Sequence, residues 1–281
     1  MVDFIFKKPL FGKEIEIILK DVDEEMARDI AEEAYKEGMR LSKIFNFFDG
    51  SSELSRLNKL RTLEVSKELM QVTKIALELS EVTKGKYDIS LGRSILDRKE
   101  GKELNNYNCS FKDIKIEGNK LTLFHKDVLI DLGSIAKGFI VDKIVEKLIS
   151  NGVLNGIVNG RGDIRVFGEE EQVIGIQHPR EERIIKYLTL KNKSVATSGD
   201  YKQYNFSFDK SHILNQRDII SITVVADDLM TADVYATVLF VSSQEDREKI
   251  LNKNKKLSVM TIDKDLNIEY YNKFEEFLVK N

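Results

Sequence analysis

Asp131-Leu132-Gly133-Ser134-Ile135-Ala136-Lys137-Gly138-Phe139-Ile140-Val141-Asp142 carries the chain from an apolar segment into a helix through a glycine and a serine. Upstream, Val128-Leu129-Ile130 reads as a short buried strand. Downstream, Ile140, Val141, Ile144, Val145 and Leu148 recur at helical spacing, and Gly152 stands where a C-cap is expected. The first N–H groups of such a helix have no intrahelical partners and lie at the positive end of its dipole, so the junction suits a phosphate. Lys137 adds a full positive charge one turn in. A glycine and a lysine at a helix start are also ordinary capping and solvation, and the junction alone leaves both readings open.

Around this junction strands and helices mix without the regular alternation of a doubly wound fold. Glu14-Ile15-Glu16-Ile17-Ile18-Leu19 alternates polar and apolar as a half-buried strand does. Residues 23–45 read as a long helix with Met26, Ile30, Ala34, Ala27, Ala31 and Tyr35 on one apolar stripe. A second helix, capped by Ser66, carries Leu69, Ala76 and Leu79 inward and stops at Gly85. Gly118-Asn119 between two alternating segments is a hairpin turn. Further strands are expected around Ile157, Ile164, Val173, Leu188 and Val195 and over residues 222–225. The polar, turn-rich stretch 97–110 reads as a surface excursion. The class is α+β, with mixed or antiparallel sheets and packed helices.

Composition narrows the function. The 281 residues are 42% hydrophobic, enough for a substantial core. Lysine plus arginine (44) nearly balances aspartate plus glutamate (47), so no overall field favours nucleic acid or acidic membrane as a partner. The single cysteine, Cys109, excludes an internal disulfide and a cysteine-rich metal site. No apolar run reaches the length of a membrane-spanning helix, and neither a secretory signal nor a lipoprotein-type cysteine is evident near Met1. The expectation is a cytoplasmic chain of one domain, residues 1–281, although a chain trimmed of a leader would look the same.

Several segments resemble one family, the FAD:protein FMN transferases or ApbE family, in that family's order. Residues 131–142 resemble its D-L-G-G-I-A-K-G-Y-x-V-D signature. Ser51-Ser52-Glu53-Leu54-Ser55-Arg56-Leu57-Asn58 is similar to S-E-L-S-R-L-N, and Gly85-Lys86-Tyr87-Asp88-Ile89-Ser90 to G-A-F-D-I-T. Val158-Asn159-Gly160-Arg161-Gly162-Asp163-Ile164-Arg165 resembles the N-x-G-G-D-I-R turn. Ser194-Val195-Ala196-Thr197-Ser198-Gly199-Asp200-Tyr201 resembles A-V-A-T-S-G-D-Y, and Thr231-Ala232-Asp233-Val234-Tyr235-Ala236-Thr237 resembles A-D-A-x-A-T. Two elements depart from the pattern. Ser211-His212-Ile213-Leu214-Asn215-Gln216 keeps the histidine and isoleucine of H-I-I-D-P-x-T-G but lacks the D-P-x-T-G, and Phe11-Gly12-Lys13 keeps only the glycine of Met-Gly-Thr.

The resemblance implies two tandem T-fold-like halves and transfer of FMN from FAD to a threonine or serine hydroxyl of an acceptor flavoprotein, with release of AMP. Subunits of Na⁺-translocating NADH:quinone reductase or Rnf type are the acceptors it implies. It further implies Mg²⁺ on Asp233, Thr237 and the backbone carbonyl of Ser134. Asp233 and Thr237 stand four apart in a helical segment, about 5–6 Å from each other on one face, although this spacing is equally that of a first-turn acid and a threonine bonded to its own helix. Mg²⁺ keeps several waters and needs only one or two carboxylates beside substrate phosphates.

Tyr87, Asp88, Asp131 and Lys137 carry over as FAD-binding positions, and so does Ile213, the residue after His212. Asn58 is either a nucleotide contact or a helix C-cap. The 160–163 turn is read as structural, shaping the floor of the site. Thr197 and Ser198 offer hydroxyls to the ligand. His212 is the candidate general base, with Asp233 the second catalytic residue; histidine suits the task because it titrates near neutrality. His125 and His178 fall outside the matched segments. Competing readings are an FAD pyrophosphatase that releases FMN and AMP, and a flavin-binding protein without turnover.

Overall fold

Strand alternation and one long helix start the architecture. The computed structural model describes residues 3–10, 13–102, 107–200, 204–205, 208–209 and 218–280. β1 (Phe4–Leu10) and β2 (Lys13–Lys20) form an antiparallel hairpin in which Ile15, Ile17 and Leu19 are buried. α1 (Glu24–Phe45) covers it with Ala27, Ile30, Ala31, Ala34 and Tyr35, as its periodicity predicts. Met26 is the exception: it precedes Ala27 in the first turn, faces away from the sheet and is 55% exposed.

The next elements form an insertion between α1 and the helix of the phosphate-type junction. They are α2 (Glu53–Leu60), β3 (Thr62–Glu64), α3 (Lys67–Val82), α4 (Gly92–Lys99), β4 (Ile114–Glu117) and β5 (Lys120–Leu123), the three strands pairing in the order β3-β5-β4. Ser66 caps α3 through Leu69 N, and the chain leaves the helix through Gly85 at φ +79°. The stretch expected to be a surface excursion starts inside α4, and Asp97 is buried there, bonded to Tyr107.

The rest of the chain supplies the remaining strands of the principal sheet. α5 (Ala136–Ser150) leads to β6 (Asn155–Gly160) and β7 (Asp163–Phe167). After the β8 (Gln172–Gln177) and β9 (Ile184–Leu190) hairpin come β10 (Ser194–Gly199), the short β11 (Tyr204–Asn205) and β12 (Phe208–Asp209), and β13 (Ile219–Ala226). α6 (Leu229–Val241), α7 (Gln244–Lys253), β14 (Ser258–Asp263) and β15 (Ile268–Tyr271) complete the order. The eight-stranded sheet runs β1-β2-β6-β7-β10-β13-β14-β15, every neighbouring pair antiparallel. A pattern of two strands, helix, helix, two strands therefore occurs twice and meets at the β7–β10 pair, which is the tandem arrangement expected. Among the described residues no helix is long and apolar enough to cross a membrane.

The central strands divide their side chains between two cores. Val158, Phe167, Ala196, Ile222 and Val224 face α1, α5 and α6. Val166, Val195, Ile220, Val225 and Met260 face the opposite side, under the β8–β9 hairpin and the turn at Phe274–Phe277.

Residues 128–130 differ from the strand expected of them. Val128 and Ile130 are fully buried, but the segment is an extended bridge with a single parallel β-bridge from Leu129 to Leu91. The Leu129 N–H and carbonyl are taken by Ser90 and Gly92, the Val128 carbonyl by the Arg61 guanidinium and both Ile130 groups by the Asn58 amide, so no sheet ladder forms there.

Candidate active site

The site grows from the place where α5 and α6 touch. A Cβ on Gly138 would come within 2.4 Å of the Leu229 carbonyl oxygen, so only glycine lets the two backbones meet. Each helix then caps the other. Asp233 of α6 accepts the Gly138 N–H of α5 at 3.0 Å, while Asp142 of α5 accepts the Leu229 and Met230 N–H groups of α6 at 2.9 and 2.8 Å. Both carboxylates thus sit at the positive end of the neighbouring helix, and both lie four residues beyond the contact point of their own.

Lys137 closes a charged cluster across this joint. Its ammonium pairs with Asp163 of β7 and lies 3.2 Å from Asp233 Oδ1. Burial alone would lower the lysine pKa, yet the two carboxylates outweigh it and hold the ammonium above its ordinary value. Asp233 is raised above the usual carboxylate range, chiefly by burial and against the pull of Lys137. Asp163 is held in turn by the Thr197 N–H, which donates to its Oδ1 at 3.1 Å.

The hydroxyls expected at the site divide by face. Ser198 Oγ lies 3.3 Å from Thr237 Oγ1, joining β10 to α6 one helical turn beyond Asp233. Thr197 differs: its hydroxyl bonds Thr223 Oγ1 at 3.0 Å, and only its backbone N–H serves the cluster, because successive strand residues point to opposite sides of the sheet. Tyr87, buried, sets its hydroxyl 2.9 Å from Ser134 Oγ and so orders the turn before α5; burial raises its pKa and keeps it a phenol.

The remaining sequence-predicted residues hold the walls. Asp131 Oδ1 accepts the Gly133 N–H at 2.7 Å and shapes the same turn. Asp88 accepts N–H groups from Ser90 and Phe111 at 2.8 and 3.1 Å, and burial raises its pKa. Asn58 is neither the C-cap, which is Arg61 at φ 68°, nor oriented with its amide free for a nucleotide. Its Nδ2 donates to the Ile130 carbonyl at 2.9 Å and its Oδ1 accepts the Ile130 N–H at 2.8 Å, so it braces the approach to the junction. The α5 start is also less open than expected, since the Ala136 N–H bonds the Leu132 carbonyl and the Gly138 N–H bonds Asp233. His212 and Ile213 lie outside the described residues.

Two carboxylates at the joint escaped the sequence reading. Asp163 is buried and charge-paired, not merely part of a shaping turn, and Asp142 is a helix cap. Both stood inside matched segments, but neither residue announces a partner that lies far off in the chain.

The oxygens available suit a hard cation. Among the described residues no cluster of three or more His, Cys, Asp or Glu could hold a metal. A cation at the joint would rest on the buried Asp233 carboxylate with hydroxyl and carbonyl oxygens, the donor set that Mg²⁺ accepts alongside phosphate and water.

Known proteins resemble the chain in sequence and in fold. The ApbE family model matches residues 11–261. An FAD:protein FMN transferase of Haemophilus influenzae is 28% identical over 275 residues, covering 86% of this chain and 75% of that protein. Its Vibrio cholerae counterpart is 27% identical over 263 residues, covering 82% and 78%. Among solved structures, the ApbE protein of Thermotoga maritima superposes with a TM-score of 0.85 at 25% identity over 99% of this chain and 100% of that one. The flavin transferase ApbE of Vibrio cholerae does so with a TM-score of 0.85 at 25% identity, covering 99% of each chain. With residues 11–261 inside the family model and the doubled sheet shared with both solved proteins, the chain belongs to the ApbE family.

Proposed function

We propose that this protein transfers FMN from FAD to a threonine or serine hydroxyl of an acceptor flavoprotein and releases AMP, with Mg²⁺ as the metal. The observation that carries the reading is the Lys137–Asp233 pair at the contact of α5 and α6, beside Ser134, Ser198 and Thr237. Asp233, Thr237 and the Ser134 carbonyl would hold Mg²⁺, which would neutralise charge on the pyrophosphate oxygens.

The chain's own residues do the rest. Lys137 offers its ammonium to the pyrophosphate from a position fixed by two carboxylates. Tyr87 and Asp131 hold the Ser134 turn, so the wall under the nucleotide does not have to reorganise on binding. His212 would take the proton of the acceptor hydroxyl as that oxygen bonds to the FMN phosphorus. The bridging P–O bond breaks and AMP leaves with its electron pair. In such displacements the protein mainly positions the partners and stabilises charge. A subunit of Na⁺-translocating NADH:quinone reductase or Rnf type fits as acceptor.

The test is incubation of the purified protein with FAD, Mg²⁺ and such an acceptor subunit, followed by in-gel flavin fluorescence and AMP measurement. Covalent flavin and AMP in equal amounts are expected. AMP with free FMN and no labelled acceptor would make it a pyrophosphatase instead, and FAD binding with neither product under any metal would make it a binding protein.

A further inference from the structure

Lys137 poses a problem for the metal reading on which this inference rests. An ammonium 3.2 Å from Asp233 Oδ1 competes for the oxygen a cation would use, and Gly138 N–H already occupies Oδ2. Something must hold the ammonium back.

The β6–β7 hairpin is shaped for that task. Arg161 and Gly162 form its two-residue turn at φ 71° and 102°, and Asn159 Oδ1 accepts the Gly162 N–H at 2.8 Å. Gly160 and Asp163 are therefore the closing pair, both buried. A Cβ on Gly160 would strike Val141 Cγ2 at 2.7 Å, so the glycine lets the hairpin close on α5, where Lys137 Cγ lies within ordinary contact distance at 3.9 Å. Opposite it, Asp163 receives the lysine head, and the Thr197 N–H fixes the carboxylate from β10.

We propose that Asp163 is a positioning residue that anchors the Lys137 ammonium on the β6–β7 hairpin, so that Asp233 keeps an oxygen for the metal. It acts through Lys137, a contact at the seam between the two halves of the sheet.

The test uses Mn²⁺ alone as probe, titrated into the full chain and read by loss of the free-ion electron paramagnetic resonance signal. Asp163→Asn keeps the shape and an acceptor for the Thr197 N–H but loses the charge. It should weaken Mn²⁺ binding by about 10–100-fold, the usual effect of removing a group that supports a metal ligand. Adding Lys137→Met should restore affinity to about the parental value, because the competing ammonium is gone. Lys137→Met alone, which does not depend on the fold of the Asp163 variant, should bind Mn²⁺ at least as tightly as the parent. Parental affinity in Asp163→Asn, no recovery in the double variant, or weaker binding in Lys137→Met each overturns the proposal while leaving the metal reading intact. A parent that binds no Mn²⁺ overturns both.

Discussion

Asp233 has two oxygens and three partners: the Gly138 N–H, the Lys137 ammonium and, by the proposed function, the metal. Its replacement therefore has two separable effects. Asp233→Ala leaves the buried Gly138 N–H without an acceptor and the Lys137 ammonium with Asp163 alone, and should cost about 1–3 kcal/mol of stability as well as turnover, measured by denaturant unfolding. Asp233→Asn keeps an acceptor for Gly138 and should abolish AMP release with a smaller stability loss. Full activity in Asp233→Asn would remove it from the chemistry. At His212 the expectation is purely kinetic. His212→Ala should lower transfer by about 10²–10⁴-fold with little change in FAD affinity, since a base acts in the transition state. Parental activity should rise with pH through a group the variant lacks, because only neutral imidazole accepts the proton. Near-parental transfer by the variant would assign the base elsewhere.

At the scale of elements the joint is reciprocal: α5 and α6 exchange carboxylates, yet only one of the two carboxylates meets a lysine. Asp142, the other, is pushed up to about 6 by burial, an effect that the Leu229 and Met230 N–H bonds only partly offset. A carboxyl with a folded pKa above its unfolded value of about 3.9 binds more protons when folded between those two pH values. Stability from this group is thus greatest below about pH 4 and falls as pH rises through about 6, by at most about 3 kcal/mol. The difference in melting temperature between the parent and Asp142→Asn should accordingly shift against the parent from pH 4 to pH 7. A difference independent of pH would show that burial does not raise the Asp142 pKa above its unfolded value.

Elements of this kind were largely legible in sequence. α5 announced itself through Ile140, Val141, Ile144, Val145 and Leu148, all buried, and Gly152 takes φ +88° just past its end. What stayed hidden depends on distant partners. Residues 128–130 look like a strand, but the Asn58 amide occupies the side where a neighbouring strand would pair. Thr197 and Ser198 look alike in sequence, and only the sheet register sends one hydroxyl to each face. Asp163 reads as a turn residue because its lysine comes from another element.

Across the whole molecule the site lies on a seam. β7 and β10 are in register only at Arg165 with Ser194 and Ile164 with Val195, whereas β10 and β13 pair along the whole of β10. Lys137 and the Ser134 turn belong to the first half of the sheet assembly, Ser198, Asp233 and Thr237 to the second. A ligand bound between them has to tie the halves together, so nucleotide and metal should stabilise the fold jointly. At one hundred times its dissociation constant a ligand contributes about 2.7 kcal/mol, which for a chain of this size raises the melting temperature by about 5 °C. FAD with Mg²⁺ should produce that rise, and either alone should produce much less of it, in a thermal unfolding series without acceptor. Asp233→Asn should abolish the rise while its ligand-free melting temperature stays near the parent's. If FAD alone gives the whole rise and Mg²⁺ adds nothing, the nucleotide is held without the cation, and the metal's place at the α5–α6 joint is wrong.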